Sequence, residues 1–284
     1  MYFWKQLSPS VLHRLDLGVA FGMTDTGTVR SSNEDNFLID ERLGLVAVAD
    51  GMGGHDQGEV ASADALKALA HFLRASVESN GDATLPNFKP SAFDPAQTDP
   101  DATWTDATMG AMIALHDAVE FANERMYQTN LANRRGDGGG MGTTLTGMWQ
   151  PAADGPVFVF HVGDSRLYRY RRGELVLLTR DQTMYQQALE AGMVDHLPAR
   201  NLLLQALGPA PDIKPELQTQ AVAPGDLYLL CSDGLHGACD DARIAELLDA
   251  SSAASIDKRC NLLIEAAKVD GSRDNITVVL IECR

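Results

Sequence analysis

Six carboxylates in this 284-residue sequence stand where an apolar run stops or a turn begins. Asp50 closes VAVADG, Asp164 falls in FHVGDS, Asp233 in YLLCSDG and Asp274 in SRDNITVV, while Glu34 and Asp35 share RSSNEDNF. A strand end is a rigid mount for a ligand, because the pairing behind it fixes where the side chain points. Asp-Gly, Asp-Ser and Asp-Asn are also ordinary turn formers, so any one position has a purely structural explanation. The repetition makes turn chemistry alone a poor account. Carboxylates that converge cannot all stay ionised without cations, so their meeting implies bound metal or strongly raised pKa values. With no His pair or Cys cluster at useful spacing, oxygen-only ligands select hard ions such as Mg²⁺ or Mn²⁺ over Zn²⁺. Two such ions sharing a carboxylate can clamp a phosphoryl group.

The elements that would carry these groups follow from hydrophobic periodicity. Strands are expected over 15–21, 36–40 and 45–49, the last a short buried run stopped by Asp-Gly. Val60, Ala63, Leu66, Ala70, Leu73 and Val77 then share one face of a helix reaching about residue 79. From 78 to 106 neither period persists, Pro86, Pro90, Pro95 and Pro100 punctuate the chain, and acidic residues dominate, which reads as a surface insertion. A second helix carries Met109, Met112, Ile113, Val119, Ala122 and Met126 on one face and ends at the Gly-rich run 136–142. Strands at 143–149, 157–162, 166–170 and 175–178 are separated by hairpin-type turns at 153–156 and at Arg172-Gly173. Further strands at 227–231 and 276–281 bracket helical patterns over 241–249 and 256–269. Grouped strands with helices between the groups indicate an α+β fold, not a repeating βαβ array.

Composition sets outer bounds. With 45% apolar and 22% charged residues the chain is globular, and its net charge of −16 has the wrong sign for a generic nucleic-acid or anionic-membrane binder. Four cysteines, Cys231, Cys239, Cys260 and Cys283, form no regular framework, which suits a reduced, cytoplasmic setting. No apolar run approaches a membrane span, and no signal peptide is read at the N-terminus.

The ordered segments Arg30-x-x-Asn33-Glu34-Asp35, VADGMGGHDQGEVAS from Val48, GTT from Gly142, VGDSRLY from Val162, LTRDQT from Leu178, LLCSDGL from Leu229 and RDNITVV from Arg273 resemble the metal-dependent serine/threonine protein phosphatases of type 2C, especially bacterial members. The resemblance covers nearly the whole chain. It implies a single domain, 1–284, with a central antiparallel β-sandwich flanked by helices on both sides in four α-β-β-α layers. It implies hydrolysis of phosphoserine and phosphothreonine by direct attack of a water activated by two Mg²⁺ or Mn²⁺ ions. Asp50 would bridge the ions, Gly51 lend its carbonyl to one, and Asp233 and Asp274 complete the other. Glu34 and Asp35 would stand behind, Asp164 would hold a third ion, and Arg30 would meet the substrate phosphate with its planar fork. The segment 184–201 corresponds to the family's flap. Phosphorylated protein substrates and a cognate Ser/Thr kinase are the expected partners, with the chain acting as a monomer.

Two departures from the family pattern bear on proton transfer. Met52 stands where animal members carry a His and cannot transfer a proton; His55, three residues on, is a weaker candidate acid than a metal-bound water. Gln182 stands where His is frequent, so no proton role carries over, and His161 reads as a core or supporting residue. Rival readings are a phosphopeptide-binding pseudophosphatase, a hydrolase of small phosphate esters, and RNA binding through Arg166, Arg169, Arg171 and Arg172 with Tyr168 and Tyr170. A solvated hairpin explains the last group more simply.

Overall fold

The computed structural model describes residues 6–53, 57–78, 93, 105–133 and 140–284. His55 and most of the 78–106 insertion lie outside the described residues. In chain order the elements are β1 (His13–Leu15), β2 (Gly18–Asp25), β3 (Asp35–Asp40), β4 (Leu45–Met52), α1 (Gly58–Glu78), α2 (Asp106–Ala132), β5 (Gly142–Thr143), β6 (Leu145–Trp149), β7 (Val157–Val162), β8 (Arg166–Arg171) and β9 (Glu174–Leu177). They continue with α3 (Met184–Glu190), β10 (Glu216–Gln220), β11 (Leu227–Cys231), α4 (Asp233–His236), α5 (Asp241–Ala250), α6 (Ile256–Val269) and β12 (Ile276–Cys283). One sheet runs β1-β2-β12-β11-β8-β9 and the other β10-β7-β6-β4-β3, with β5 paired to β4. Every pairing among these strands is antiparallel.

The central strands read as unbroken apolar runs because each of their faces enters a different core. On β4, Val46 and Val48 point between the sheets, while Leu45, Ala47 and Ala49 meet α1 and α2. On β12, Val279 and Ile281 point between the sheets, and Ile276, Val278 and Leu280 meet α5 and α6. Three stacked cores therefore separate four layers, α1/α2, sheet, sheet and α5/α6. This is the α+β sandwich expected above. The four cysteines are buried and free, and no helix of the described residues is long and apolar enough to cross a membrane.

Some local expectations need correction. The strand expected over 15–21 is two strands, because the chain reverses at Asp16-Leu17 and pairs Leu15 with Gly18. Gly18 is required there, since a Cβ would lie 2.0 Å from the Glu282 carbonyl oxygen. Strand β10 carries little sequence signal because ELQTQ buries only Leu217. Within the insertion, Phe93 stacks on His116 of α2 at 4.2 Å and packs against the helix-side core.

Candidate active site

Antiparallel pairing brings the acidic strand ends to one edge of the sandwich. Asp35, opening β3, lies directly opposite Asp50 near the close of β4. The first turn of α4 carries Asp233 off the end of β11, Asp274 precedes β12, and Asp164 sits in the turn between β7 and β8. The last residue of β11, Cys231, faces both Val278 of β12 and Arg166 of β8, so these three connections converge.

Their electrostatics record that convergence. Burial pushes Asp35 up to about 7, against the hydrogen bonds it accepts from Ser232 and Thr277, and the charges of Asp233 and Asp274 add to the rise. Asp164 is pushed up to about 8 by burial and then by Asp233. Asp233 rises to about 6 for want of solvent and through Asp274, while a hydrogen bond with Asp50 opposes the rise. Asp50 is held well above the usual carboxylate range, first by burial and then by Asp35, Asp233, Asp164 and Asp274 in turn. Asp35 Oδ1 and Asp233 Oδ1 are buried without a hydrogen-bond partner. Buried oxygens of that kind are costly unless something binds them.

The supporting residues were less visible in the sequence. Asp35 Oδ2 accepts from Ser232 Oγ and Thr277 Oγ1, both at 2.7 Å. Thr144 Oγ1 accepts from the Asp50 amide at 2.9 Å, and Thr144 N donates to the Asp50 carbonyl. Asn275 organises the loop that bears Arg30 and Glu34: its Oδ1 accepts from Glu34 N, and its Nδ2 donates to Thr26 O and Ser32 O. Arg30 Nη2 donates to Asp274 Oδ2 at 2.7 Å, which holds the guanidinium pKa above its ordinary value.

Gly51 and Gly58 let β4 and the start of α1 close on Glu34. A Cβ on Gly51 would lie 2.0 Å from Gly58 O and 2.6 Å from Glu34 O, and one on Gly58 would lie 2.3 Å from Glu34 Oε2. Gly51→Ala is therefore expected to cost about 2–3 kcal/mol in urea denaturation, because backbone must move to admit the methyl group.

Neither His161 nor His236 is placed as an acid. Burial pushes both down to about 4. Their Nε2 atoms lie 2.9 Å from Arg180 O and 3.0 Å from Asp164 O respectively, where a neutral ring donates its N–H. Met52 closes β4 opposite Gly142. Two of the arginines of β8 are engaged, Arg166 by Asp181 and Arg171 by Asp226. Half of the cations that the RNA reading needs are thus already paired. A cavity of about 260 Å³ opens beside Asp164 and Asp233, walled by Tyr185, Gln186 and Arg200 from the 184–201 segment.

Residues 28–268 match the protein phosphatase 2C family model. The chain belongs to that family. Among family members, the serine/threonine protein phosphatase PstP of Mycobacterium tuberculosis is 34% identical over 265 residues, covering 91% of this chain and 44% of that protein. The chain thus spans less than half the length of that relative. The serine/threonine phosphatase stp of Listeria innocua is 31% identical over 267 residues, covering 91% of this chain and 93% of its own length. The crystal structure of the PstP catalytic domain in complex with two manganese ions superposes with a TM-score of 0.70 at 31% identity, covering 93% of this chain and 96% of that one.

Proposed function

We propose that the chain is a Mg²⁺- or Mn²⁺-dependent protein serine/threonine phosphatase that hydrolyses phosphoserine and phosphothreonine in protein substrates. The observation that carries the reading is the meeting of four carboxyls held above their ordinary range with two buried, unpartnered oxygens among them. An oxygen-only donor set of this kind fits a hard divalent cation. Asp50, the Gly51 carbonyl, Asp233 and Asp274 would hold two ions, with Glu34 and Asp35 behind them and Asp164 at a third. When bound, such ions neutralise charge on the phosphoryl oxygens and make water nucleophilic near neutral pH.

The chain's own residues supply orientation. Thr144 fixes both backbone groups of Asp50, while Ser232 and Thr277 fix Asp35. Arg30 spends one nitrogen on Asp274 and keeps the rest of its fork, on an exposed side chain, for phosphate oxygens. Arg30→Ala is accordingly expected to raise KM for a phosphopeptide by about 10–100-fold, the worth of hydrogen bonds to a charged group, and to leave the melting temperature nearly unchanged. Met52 has no proton to give, and His161 and His236 are neutral and engaged, so protonation of the leaving alkoxide does not fall to these three. The 184–201 segment, bordering the cavity beside Asp164, would shape substrate access.

A phosphopeptide panel with and without EDTA tests the reading. Mn²⁺-dependent phosphate release from phosphoserine and phosphothreonine peptides, abolished by chelation, is the expected result. Turnover confined to aryl or nucleotide phosphates would indicate a small-ester hydrolase, and peptide binding without turnover at saturating Mn²⁺ a pseudophosphatase. A protein phosphatase of this kind implies a Ser/Thr kinase acting on the same substrates.

A further inference from the structure

We propose that Gln182 is a positioning residue for Asp164, clamping the β7–β8 turn to β10 through both ends of its side-chain amide. Gly163, which precedes Asp164, adopts a φ of +105°, and a Cβ there would strike Thr144 Cγ2 at 2.7 Å. A peptide in that conformation stays put only if its polar groups are held. Gln182 holds both: its side-chain Oε1 accepts from Gly163 N at 2.9 Å, and its backbone N–H donates to Gly163 O at 2.8 Å. The side chain is buried, with 3% exposure, and its remaining end hydrogen-bonds the carboxylate of Glu216 on β10. A backbone N–H demands an acceptor and a carboxylate demands a donor, so the network fixes which way the amide faces. The next two residues are tied elsewhere, Asp164 O to His236 and Ser165 O to Thr146. Gln182 is thus the tie on the residue before Asp164, and it makes the tie with a group that does not titrate.

The proposal rests on the reading of Asp164 as a metal-holding carboxylate, but the clamp itself can be read without metal. Hydrogen exchange is followed on a peptide spanning 162–165 in EDTA for wild type, Gln182→Leu, Gln182→Glu and the exchanged pair Gln182→Glu/Glu216→Gln. Losing one net hydrogen bond makes exchange about tenfold faster in Gln182→Leu. Gln182→Glu sets two carboxylates against each other and also exchanges faster. The exchanged pair keeps an acceptor for Gly163 N and places an amide donor at position 216 opposite the carboxylate at position 182, so protection returns. In equilibrium dialysis the weakest Mn²⁺ site follows the same order, about tenfold weaker in Gln182→Leu and recovered in the pair. Wild-type exchange in both single variants, or no recovery in the pair, overturns the clamp; should Gln182→Leu fail to fold, Gln182→Glu and the pair still decide. Faster exchange with unaltered Mn²⁺ binding overturns the link to Asp164. Because exchange is read in EDTA, absence of phosphatase activity would bear on the function and not on the clamp.

Discussion

Asp50→Asn is expected to lower Mn²⁺-supported phosphopeptide hydrolysis by at least about 10³-fold, the scale of several kcal/mol of transition-state charge stabilisation. The metal-free protein, in contrast, should keep or gain stability. Asp50 is pressed by the carboxylates of Asp35, Asp233, Asp164 and Asp274, and it shares a hydrogen bond with Asp233 that needs a proton between them. An asparagine amide keeps a donor toward Asp233 and cannot ionise. In EDTA at pH 8 the variant therefore melts no lower than wild type, while the rise in melting temperature on adding Mn²⁺ shrinks. Activity within tenfold of wild type would remove Asp50 from the metal centre. A large drop in metal-free melting temperature would show that its role is structural.

The parts of this molecule that could be read from sequence are those whose signal is local. Strands β4, β11 and β12 were legible because burial on both faces leaves LVAVA, LYLLC and ITVVLI as uninterrupted apolar runs. The acidic residues are legible because each stands beside an apolar run or in a turn. What escaped depends on which strands become neighbours. Thr277 reads as an ordinary β-former, yet its hydroxyl holds Asp35, 242 positions away. Asn275 reads as a turn residue after Asp274, yet its side chain ties down the loop bearing Arg30 and Glu34. Gly18 shows its reason only once Glu282 lies alongside, and the edge strand β10 carries too little apolar pattern to announce itself. In the sequence Gln182 shows only the lack of a titratable group, whereas its contribution is a hydrogen-bonded bridge between two segments.

Between pH 6.5 and 8.5 the metal-free protein is expected to lose stability as pH rises. Asp35 titrates at about 7 and Asp164 at about 8 in the folded chain, against an ordinary value of 3.8, and Asp50 is raised as well. A raised folded pKa means that the native state binds the proton more tightly than the unfolded chain does. The stabilisation is complete below the unfolded value and is lost as pH climbs through the folded value. Each group contributes a slope of about 1.4 kcal/mol per pH unit between its unfolded and folded values, falling to about 0.7 at the folded value itself. His161 and His236, lowered to about 4, act in the opposite sense. Their contribution grows from about pH 4 and is essentially complete once pH passes the ordinary histidine value of 6.5, which is why the window begins there. Melting curves in EDTA should shift downward at each step from pH 6.5 to 8.5. Mn²⁺ competes with protons for the same oxygens, so its stabilising increment should grow over the same interval and flatten or reverse the trend. A metal-free melting temperature that holds level or rises across the window would mean that these carboxylates are already ionised, and the electrostatic case for a cation centre at this edge of the sandwich would fail.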